Sequence, residues 1–156
     1  MSQLSDEALR IAVTQIGQTE KPLGSNWGEP VKTYLASVGI NFPAAWCIAF
    51  AHWCFQEAAD NLGVSNPVPK TGSVLHCWET APATNKIIGR PQVGDIFIMD
   101  LGGGLGHAGF VEKIDVDNFT LFTIDGNTNV NGSREGVEVE RKTRHNQKPI
   151  IGYLRF

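Results

Sequence analysis

The chain has 156 residues and a formal net charge of −3, with 42% hydrophobic and 19% charged residues. This length and composition predict one globular domain over residues 1–156, with a core that needs no disulfide staples. The negative charge and the absence of a Lys/Arg-rich stripe exclude nucleic acid from the expected partners.

The first ten residues lack a basic segment followed by an apolar run, so we expect no signal peptide. No apolar stretch approaches about 18 residues, and we therefore expect no membrane insertion. We expect a monomer. The two absences predict that it is made in the cytoplasm and that it can act elsewhere only after non-classical export.

The cysteines raise the questions of a disulfide framework and of zinc. Cys47, Cys54 and Cys77 are odd in number, which argues against a framework in a chain without a secretion signal. His52 lies between the first two, but on a helix Cys47 and His52 would stand about 140° apart and could not hold one ion. The chain has no CxxC pair either, so we expect no metal and no cofactor.

Helical periodicity dominates the first half of the chain. Ser5 is the predicted N-cap of the first helix, Pro30 begins the second and Gly39 ends it. The third helix ends at Gly63 and is apolar nearly all round, which is typical of a buried central helix. The predicted helices cover residues 4–20, 30–39, 46–62 and, more weakly, 71–80.

The second half alternates between apolar and polar residues, as strands do. Helices followed by antiparallel strands predict an α+β fold. We find no repeat, linker or second domain. The predicted strands cover residues 94–100, 107–114, 119–125, 136–143 and 149–156.

Cys47 is the strongest candidate for a nucleophile. It stands in the first turn of the predicted central helix, where unpaired N–H groups and the helix dipole stabilise a thiolate. Cys54 lies on the apolar surface of the same helix and is most simply a buried hydrophobe. Cys77 has no evident role.

A nucleophilic cysteine needs a base, and His107 is the best placed of the four histidines. It opens a predicted strand after a Gly-rich segment that permits close approach of substrate. His52 is on the wrong side of the central helix and His76 adjoins Cys77. His145 lies in a charged loop.

A third residue should orient the imidazole of His107. If residues 107–114 and 119–125 form a hairpin in which Ile114 pairs with Phe119, His107 lies opposite position 126. Asp125 and Asn127 then flank that point and share a face, so either could fix the tautomer. The alternative is that the segment starting at Asp125 is only a turn.

The segments AWCIAFAHWC, GDIFIMD, GHAGFVEKI and IDGNTN together resemble the CHAP (cysteine, histidine-dependent amidohydrolase/peptidase) family. This family belongs to the papain-like superfamily that includes the NlpC-type peptidases. The resemblance implies N-terminal helices, with the nucleophile at a helix N-terminus, packed on a C-terminal antiparallel sheet. It covers roughly residues 8–156.

The resemblance also implies the chemistry. Cys47 would attack an amide carbonyl of a peptidoglycan stem peptide, and His107 would take the thiol proton and return it to the leaving amine. The family's third position falls on Asp125 or Asn127, with a slight preference for Asp125. The activity would be N-acetylmuramoyl-L-alanine amidase or stem-peptide endopeptidase.

Further sites follow from the same resemblance. Asn26 is the candidate side chain for the oxyanion hole, beside the Cys47 backbone N–H. Trp46, Trp78 and Gly106 are candidates for substrate binding. Some family members bind calcium through an acidic loop before the nucleophile, but NFPAA has no carboxylate, and we expect no calcium.

The sequence is compatible with more than one biological setting. We expect an interbacterial toxin that is delivered to the periplasm and neutralised by a cognate immunity protein. The alternatives are a phage endolysin of the same chemistry and a papain-like protease or deamidase that acts on proteins.

Overall fold

The structure is a computed structural model that describes residues 2–128 and 136–156. Within these residues it contains four α-helices and six strands, and no helix is long and apolar enough to cross a bilayer. The helices are α1 (Gln3–Thr14), α2 (Val31–Ser37), α3 (Cys47–Leu62) and α4 (Val74–Thr80). The strands are β1 (Lys86–Ile87), β2 (Ile96–Gly102), β3 (Leu105–Asp115), β4 (Thr120–Thr128), β5 (Glu138–Arg144) and β6 (Ile150–Leu154).

The strands form one antiparallel sheet in the order β1-β6-β2-β3-β4-β5. Helix α3 packs on β3 and β4, α4 packs on β2 and β3, and α1 and α2 pack on α3. The α+β expectation is therefore confirmed, with the predicted central helix lying across the middle of the sheet. Strand β1 was not predicted, because two residues are too few to show a period.

The two faces of the sheet bury different sets of side chains. On the helix-covered face, Ile98, Phe110 and Ile124 join the main core around α3. On the opposite face, called the outer face below, Phe97, Val111 and other residues form a smaller apolar cluster. Its members are Phe97, Met99, Val111, Leu121 and Tyr153.

Helix α1 differs from the prediction at both ends. Its N-cap is Ser2, whose side chain accepts the Ser5 N–H at 3.0 Å, so the prediction of Ser5 was wrong. The helix ends at Thr14 because the residues beyond it bond to β5 instead. Gly17 N–H donates to the Val139 carbonyl at 2.9 Å, and a bridge joins Thr19 to Glu138.

The β3–β4 hairpin forms, but the predicted register was wrong. Ile114 pairs with Leu121, and Phe119 lies 79% exposed in the turn with φ 51°. The turn has the predicted four residues but lies one residue later, at 116–119, where the Asp115 carboxylate accepts the N–H groups of Asp117 and Asn118 at 3.1 and 3.2 Å. A bulge after Val111 then shifts the pairing back by one residue.

Candidate active site

Cys47 is the first residue of α3, and a side chain from the sheet caps the helix there. The backbone N–H of Trp46, the N-cap residue, donates to Oδ1 of Asn127 at 2.7 Å. The following turn is regular, since the Phe50 N–H donates to the Trp46 carbonyl at 2.9 Å. Cys47 thus stands where the helix dipole favours an anionic sulfur.

His107 lies on β3 and connects Cys47 to the sheet. Its ring is 1% exposed, and Nε2 donates to Oδ2 of Asp125 at 2.8 Å. Nδ1 is buried and finds no partner of ideal geometry in the described part of the chain, while the Cys47 side chain interacts with the ring by hydrogen bonding and charge. Because Nε2 is engaged by Asp125, Nδ1 is the nitrogen left to receive the thiol proton.

The surroundings of His107 favour its protonated form. Burial by itself lowers the pKa of this histidine, because a buried charge loses its hydration. The hydrogen bonds to Asp125 and Cys47, together with the charges of both groups, outweigh burial and raise the pKa to about 9. An imidazolium beside a thiolate is the charge distribution of an activated cysteine.

Asp125 is completely buried and is held by three different residues. Besides His107, Thr123 Oγ1 donates to Oδ1 at 2.7 Å, and Arg144 Nη2 donates to Oδ2. Burial alone would raise the pKa of Asp125, but the His107 hydrogen bond and the Arg144 charge hold it below its ordinary value. The carboxylate is therefore ionised while it faces the imidazole.

Gly109 makes room for this carboxylate. A Cβ atom at Gly109 would lie 2.8 Å from Asp125 Oδ1 and 2.8 Å from Cε1 of Phe97. Only a residue without a side chain lets Asp125 reach across β3 at this point. The glycine of the HAG triplet is thus part of the site, which periodicity did not reveal.

Asn127 occupies a different place from Asp125. Its Oδ1 accepts the Trp46 N–H, and its Nδ2 donates to the Gly136 carbonyl at 3.0 Å. It has φ 55° beside an irregularity in the β4–β5 register. Asn127 therefore holds the start of α3, whereas Asp125 is the residue hydrogen-bonded to His107. The alternative that the segment starting at Asp125 is only a turn was wrong for residues 125–128, because they belong to β4.

Arg144 was missed by reasoning from the sequence. It lies in the charged segment RKTRHNQK, where each cation is most simply read as solvated. The structure instead places its guanidinium over the Phe97 ring at 4.8 Å, with 10% of the side chain exposed. The contact of Arg144 could have been predicted only from the knowledge that a buried carboxylate lies on the same face of the sheet.

The predicted substrate-binding residues lie in varied surroundings. Trp46 is fully buried, with its indole N–H on Glu20 at 2.9 Å and its ring stacked on Tyr34, so the prediction that it lines a groove was wrong. Trp78 is half-buried against Gly152, with Lys86 over its ring. Gly106 is buried, and a Cβ there would meet Val74 of α4 at 2.8 Å.

Asn26 lies in a loop before α2 with φ 54° and is half-buried. Its role in an oxyanion hole stays a prediction.

The other histidines have different surroundings. His52 is buried between Ser37, at 3.0 Å, and Asn66, at 3.3 Å. Burial and the charge of Lys70 lower the pKa of His52 to about 4. His76 and His145 are exposed.

The other two cysteines are buried in the core without such a partner histidine in the described structure. Burial raises the pKa of Cys77 to about 12 and raises the pKa of Cys54 well above its ordinary value. Both thiols are therefore protonated at neutral pH. In the described residues, no three His, Cys, Asp or Glu side chains are grouped so that they could hold a metal ion.

These contacts place the Cys47 thiol, the His107 imidazole and the Asp125 carboxylate in series. The series runs from the first turn of α3 to β3 and then to β4. It has the order and the contacts of a Cys-His-Asp triad, which supports acyl transfer to and from a thiol.

Solved proteins share this fold at low sequence identity. The structure of a wild type endolysin, LysIME-EF1, aligns with a TM-score of 0.59 and 19% identity, covering 99% of this chain and 64% of the endolysin chain. Ly7917 aligns with a TM-score of 0.54 and 19% identity, covering 96% of this chain and 61% of its own. Ly7917 solved with the hydrolyzing product of MDP gives a TM-score of 0.53 at 20% identity, covering 96% of this chain and 62% of its own.

The chain thus spans less than two thirds of the length of these solved proteins. No curated protein matches it by sequence. The model of the CHAP domain matches residues 39–127, which hold Cys47, His107 and Asp125. Since that match covers more than half of the sequence, the chain belongs to the CHAP domain family.

Proposed function

We propose that this chain is a peptidoglycan hydrolase that cleaves amide bonds of cell-wall peptides through Cys47. The observation that carries the proposal is the buried series of Cys47, His107 and Asp125 in a CHAP domain. The endolysin fold of the solved neighbours supports a wall substrate, and the product bound to Ly7917 supports hydrolysis as the reaction.

The reaction would proceed in two halves. The Cys47 thiolate attacks the amide carbonyl carbon, and the C–N bond breaks as imidazolium His107 gives its proton to the leaving amine. The product of this half is a thioester between Cys47 and the acyl part of the substrate. Water then attacks the thioester with His107 as base, which releases a carboxylic acid and restores the thiol proton to the pair.

Asp125 would act by keeping the imidazole in place through both halves. Its bond to Nε2 sets the tautomer in which Nδ1 faces the sulfur, and its charge stabilises the imidazolium. The oxyanion would be held by the Cys47 backbone N–H and a second donor, for which Asn26 is the candidate. Loss of one such donor typically slows the reaction about 10²–10³-fold.

A digest of purified peptidoglycan tests the proposal. Soluble fragments are analysed by mass spectrometry after incubation with the wild-type protein or with Cys47→Ala. We expect new amine and carboxylate ends from the wild type only. A free lactyl carboxylate on the muramic acid would identify an amidase, and cleavage within the stem would identify an endopeptidase. Intact wall after prolonged digestion, with cleavage of a protein substrate, would replace the proposal by the protease alternative.

For the biological role, we propose a toxin delivered to the periplasm of a competing cell and bound there by an immunity protein. The second candidate is an endolysin, which the fold of LysIME-EF1 favours. Production of the chain with an added periplasmic signal, with and without the products of adjacent genes, separates the two. Rescue from lysis by an adjacent product supports the toxin, whereas lysis of the signal-free chain only in the presence of an adjacent holin supports the endolysin.

A further inference from the structure

Asp125 carries two cationic partners on one carboxylate oxygen, and the triad accounts for only one of them. His107 Nε2 and Arg144 Nη2 both donate to Oδ2. We propose that Arg144 is a positioning residue that keeps Asp125 ionised and aimed at His107, and thereby sets the lowest pH at which the Cys47–His107 ion pair survives. This inference rests on the proposed function, because it assigns Arg144 a role in that triad.

The geometry of Arg144 fits a residue that positions a neighbour. It reaches Asp125 along the outer face of the sheet, from the far end of β5, where its backbone pairs with Leu121. On the way its Nε donates to Thr123 Oγ1 at 3.3 Å, and the same hydroxyl donates to Asp125. The Phe97 ring covers the guanidinium. Three contacts thus fix a planar group that has little freedom to leave.

The charges around Asp125 alternate. Cys47 and His107 lie on one side, from α3 and β3, and Arg144 lies on the other, from β5. Glu140, the β5 residue paired with Asp125, is the one further carboxylate that the described contacts place against it, and Lys142 binds Glu140 at 2.9 Å. The Asp125 carboxylate and the Cys47 thiolate are two buried anions, and His107 supplies one positive charge. Arg144 therefore supplies the second positive charge that this pair of anions requires.

Removal of Arg144 should act first on Asp125. A fully buried carboxylate that has lost one of two cations binds a proton at higher pH, because burial penalises its charge. Once Asp125 is protonated, the His107 imidazolium loses its counter-ion, and the thiolate of Cys47 takes back the proton. The reactive thiolate should then disappear at a higher pH than in the wild type.

Alkylation of Cys47 by iodoacetamide measures this thiolate without any wall substrate. The rate is followed from pH 3 to pH 8 by peptide mapping, which separates Cys47 from the buried Cys54 and Cys77. In Arg144→Gln we expect the acidic limb of the profile to move upward by about one pH unit or more. In Arg144→Lys, which keeps the charge, we expect less than about half of that shift.

Arg141→Gln is the matched control. Arg141 lies on the same strand and carries the same charge, but its side chain is 58% exposed and pairs with Glu112 outside the site. Its alkylation profile should coincide with the wild type. A profile of Arg144→Gln that also coincides with the wild type would overturn the proposal. If the alkylation profile of Arg144→Gln shifts as expected but the wild-type protein does not digest peptidoglycan, the wall substrate is refuted and the role of Arg144 stands.

A measurement on the wild type covers the case in which Arg144→Gln does not fold. The carboxyl ¹³C shift of Asp125, assigned with Asp125→Asn, is followed as the pH is lowered. We expect this carboxylate to remain ionised below about pH 3.9, the ordinary value for aspartate. Titration at or above that value would show that Arg144 does not hold Asp125 ionised.

Discussion

Helix α3 carries two cysteines seven residues apart, and they illustrate two fates of the same side chain. Cys47 and Cys54 are 3% and 0% exposed, so burial does not separate them. Cys47 begins the helix and interacts with His107, whereas Cys54 lies in the apolar core with a pKa raised well above its ordinary value by burial. The difference teaches that position along the helix and the partner across the sheet, rather than burial, distinguish the two thiols.

The largest effect should come from exchanging the two thiols for alanine in separate variants. We expect Cys47→Ala to lower kcat by about 10⁵-fold or more. Loss of a nucleophile that acts together with its base removes nearly all of the catalysis that the pair provides. Cys54→Ala should leave kcat within about twofold and cost about 1 kcal/mol of unfolding free energy. Release of soluble wall fragments and chemical denaturation measure the two quantities. Residual hydrolysis by Cys47→Ala close to the wild-type rate would contradict the comparison.

The next effect concerns the partner that distinguishes Cys47. Asp125→Asn preserves shape but removes the charge and can favour the wrong tautomer of His107. We expect kcat to fall about 10³–10⁴-fold, and the rate of iodoacetamide alkylation at pH 6 to fall as well. Fragment release with Thr143→Ala, an exposed β5 residue, provides the reference. A variant with unchanged alkylation would show that Asp125 does not support the imidazolium.

The pH dependence sharpens the same point. The pKa of His107 is raised from 6.5 to about 9, so its protonated form is favoured by folding. The stabilisation from this proton is complete below about pH 6.5 and is lost as the pH rises through 9. We expect kcat to fall about tenfold per pH unit above 9, as the acid for the leaving amine is lost. A fall of kcat that begins near pH 6.5 would show that His107 has the pKa of an ordinary histidine.

The smallest effect should come from the residue that holds the first turn of α3. Asn127→Ala removes the acceptor of the buried Trp46 N–H. We expect the free energy of unfolding to drop by about 1–2 kcal/mol, as for loss of a helix cap. Thermal and urea denaturation measure this drop, and kcat should change far less than in Asp125→Asn. A loss of kcat equal to that of Asp125→Asn would mean that the two residues act as one unit.

Local patterns predicted most elements because each rule is satisfied within a few residues. The central helix was predicted almost to the residue, since Gly63 takes φ 67° where the apolar pattern stops. The C-terminal end of α1 was misplaced because residues 17–19 find partners on β5, and no local pattern reports a bond made at such a distance along the chain. Trp46 was misjudged for the same reason, since its buried partner Glu20 lies on a distant loop.

Alternation along β4 predicted that Asp125 and Asn127 share a face, but the register of the hairpin decided which side chains of β4 meet His107. In the predicted register His107 would lie opposite residue 126, and Asp125 would point to the other face. The observed pairing of Phe110 with Ile124 instead puts Asp125 on the same face as Gly109 and His107, the outer face. The choice between Asp125 and Asn127 was open, since both positions satisfy alternation. The backbone irregularity after Asp125 turns Asn127 toward the start of α3.

The sequence by itself determined the order of helices and strands, the cysteine at a helix start and the histidine at a strand mouth, because periodicity and helix ends are local properties of a chain. The tertiary structure alone decided that Asp125 faces the imidazole, that Gly109 makes room for it and that Arg144 joins it from β5. These three choices depend on register, on bulges and on distances between strands, which arise only when the sheet is assembled.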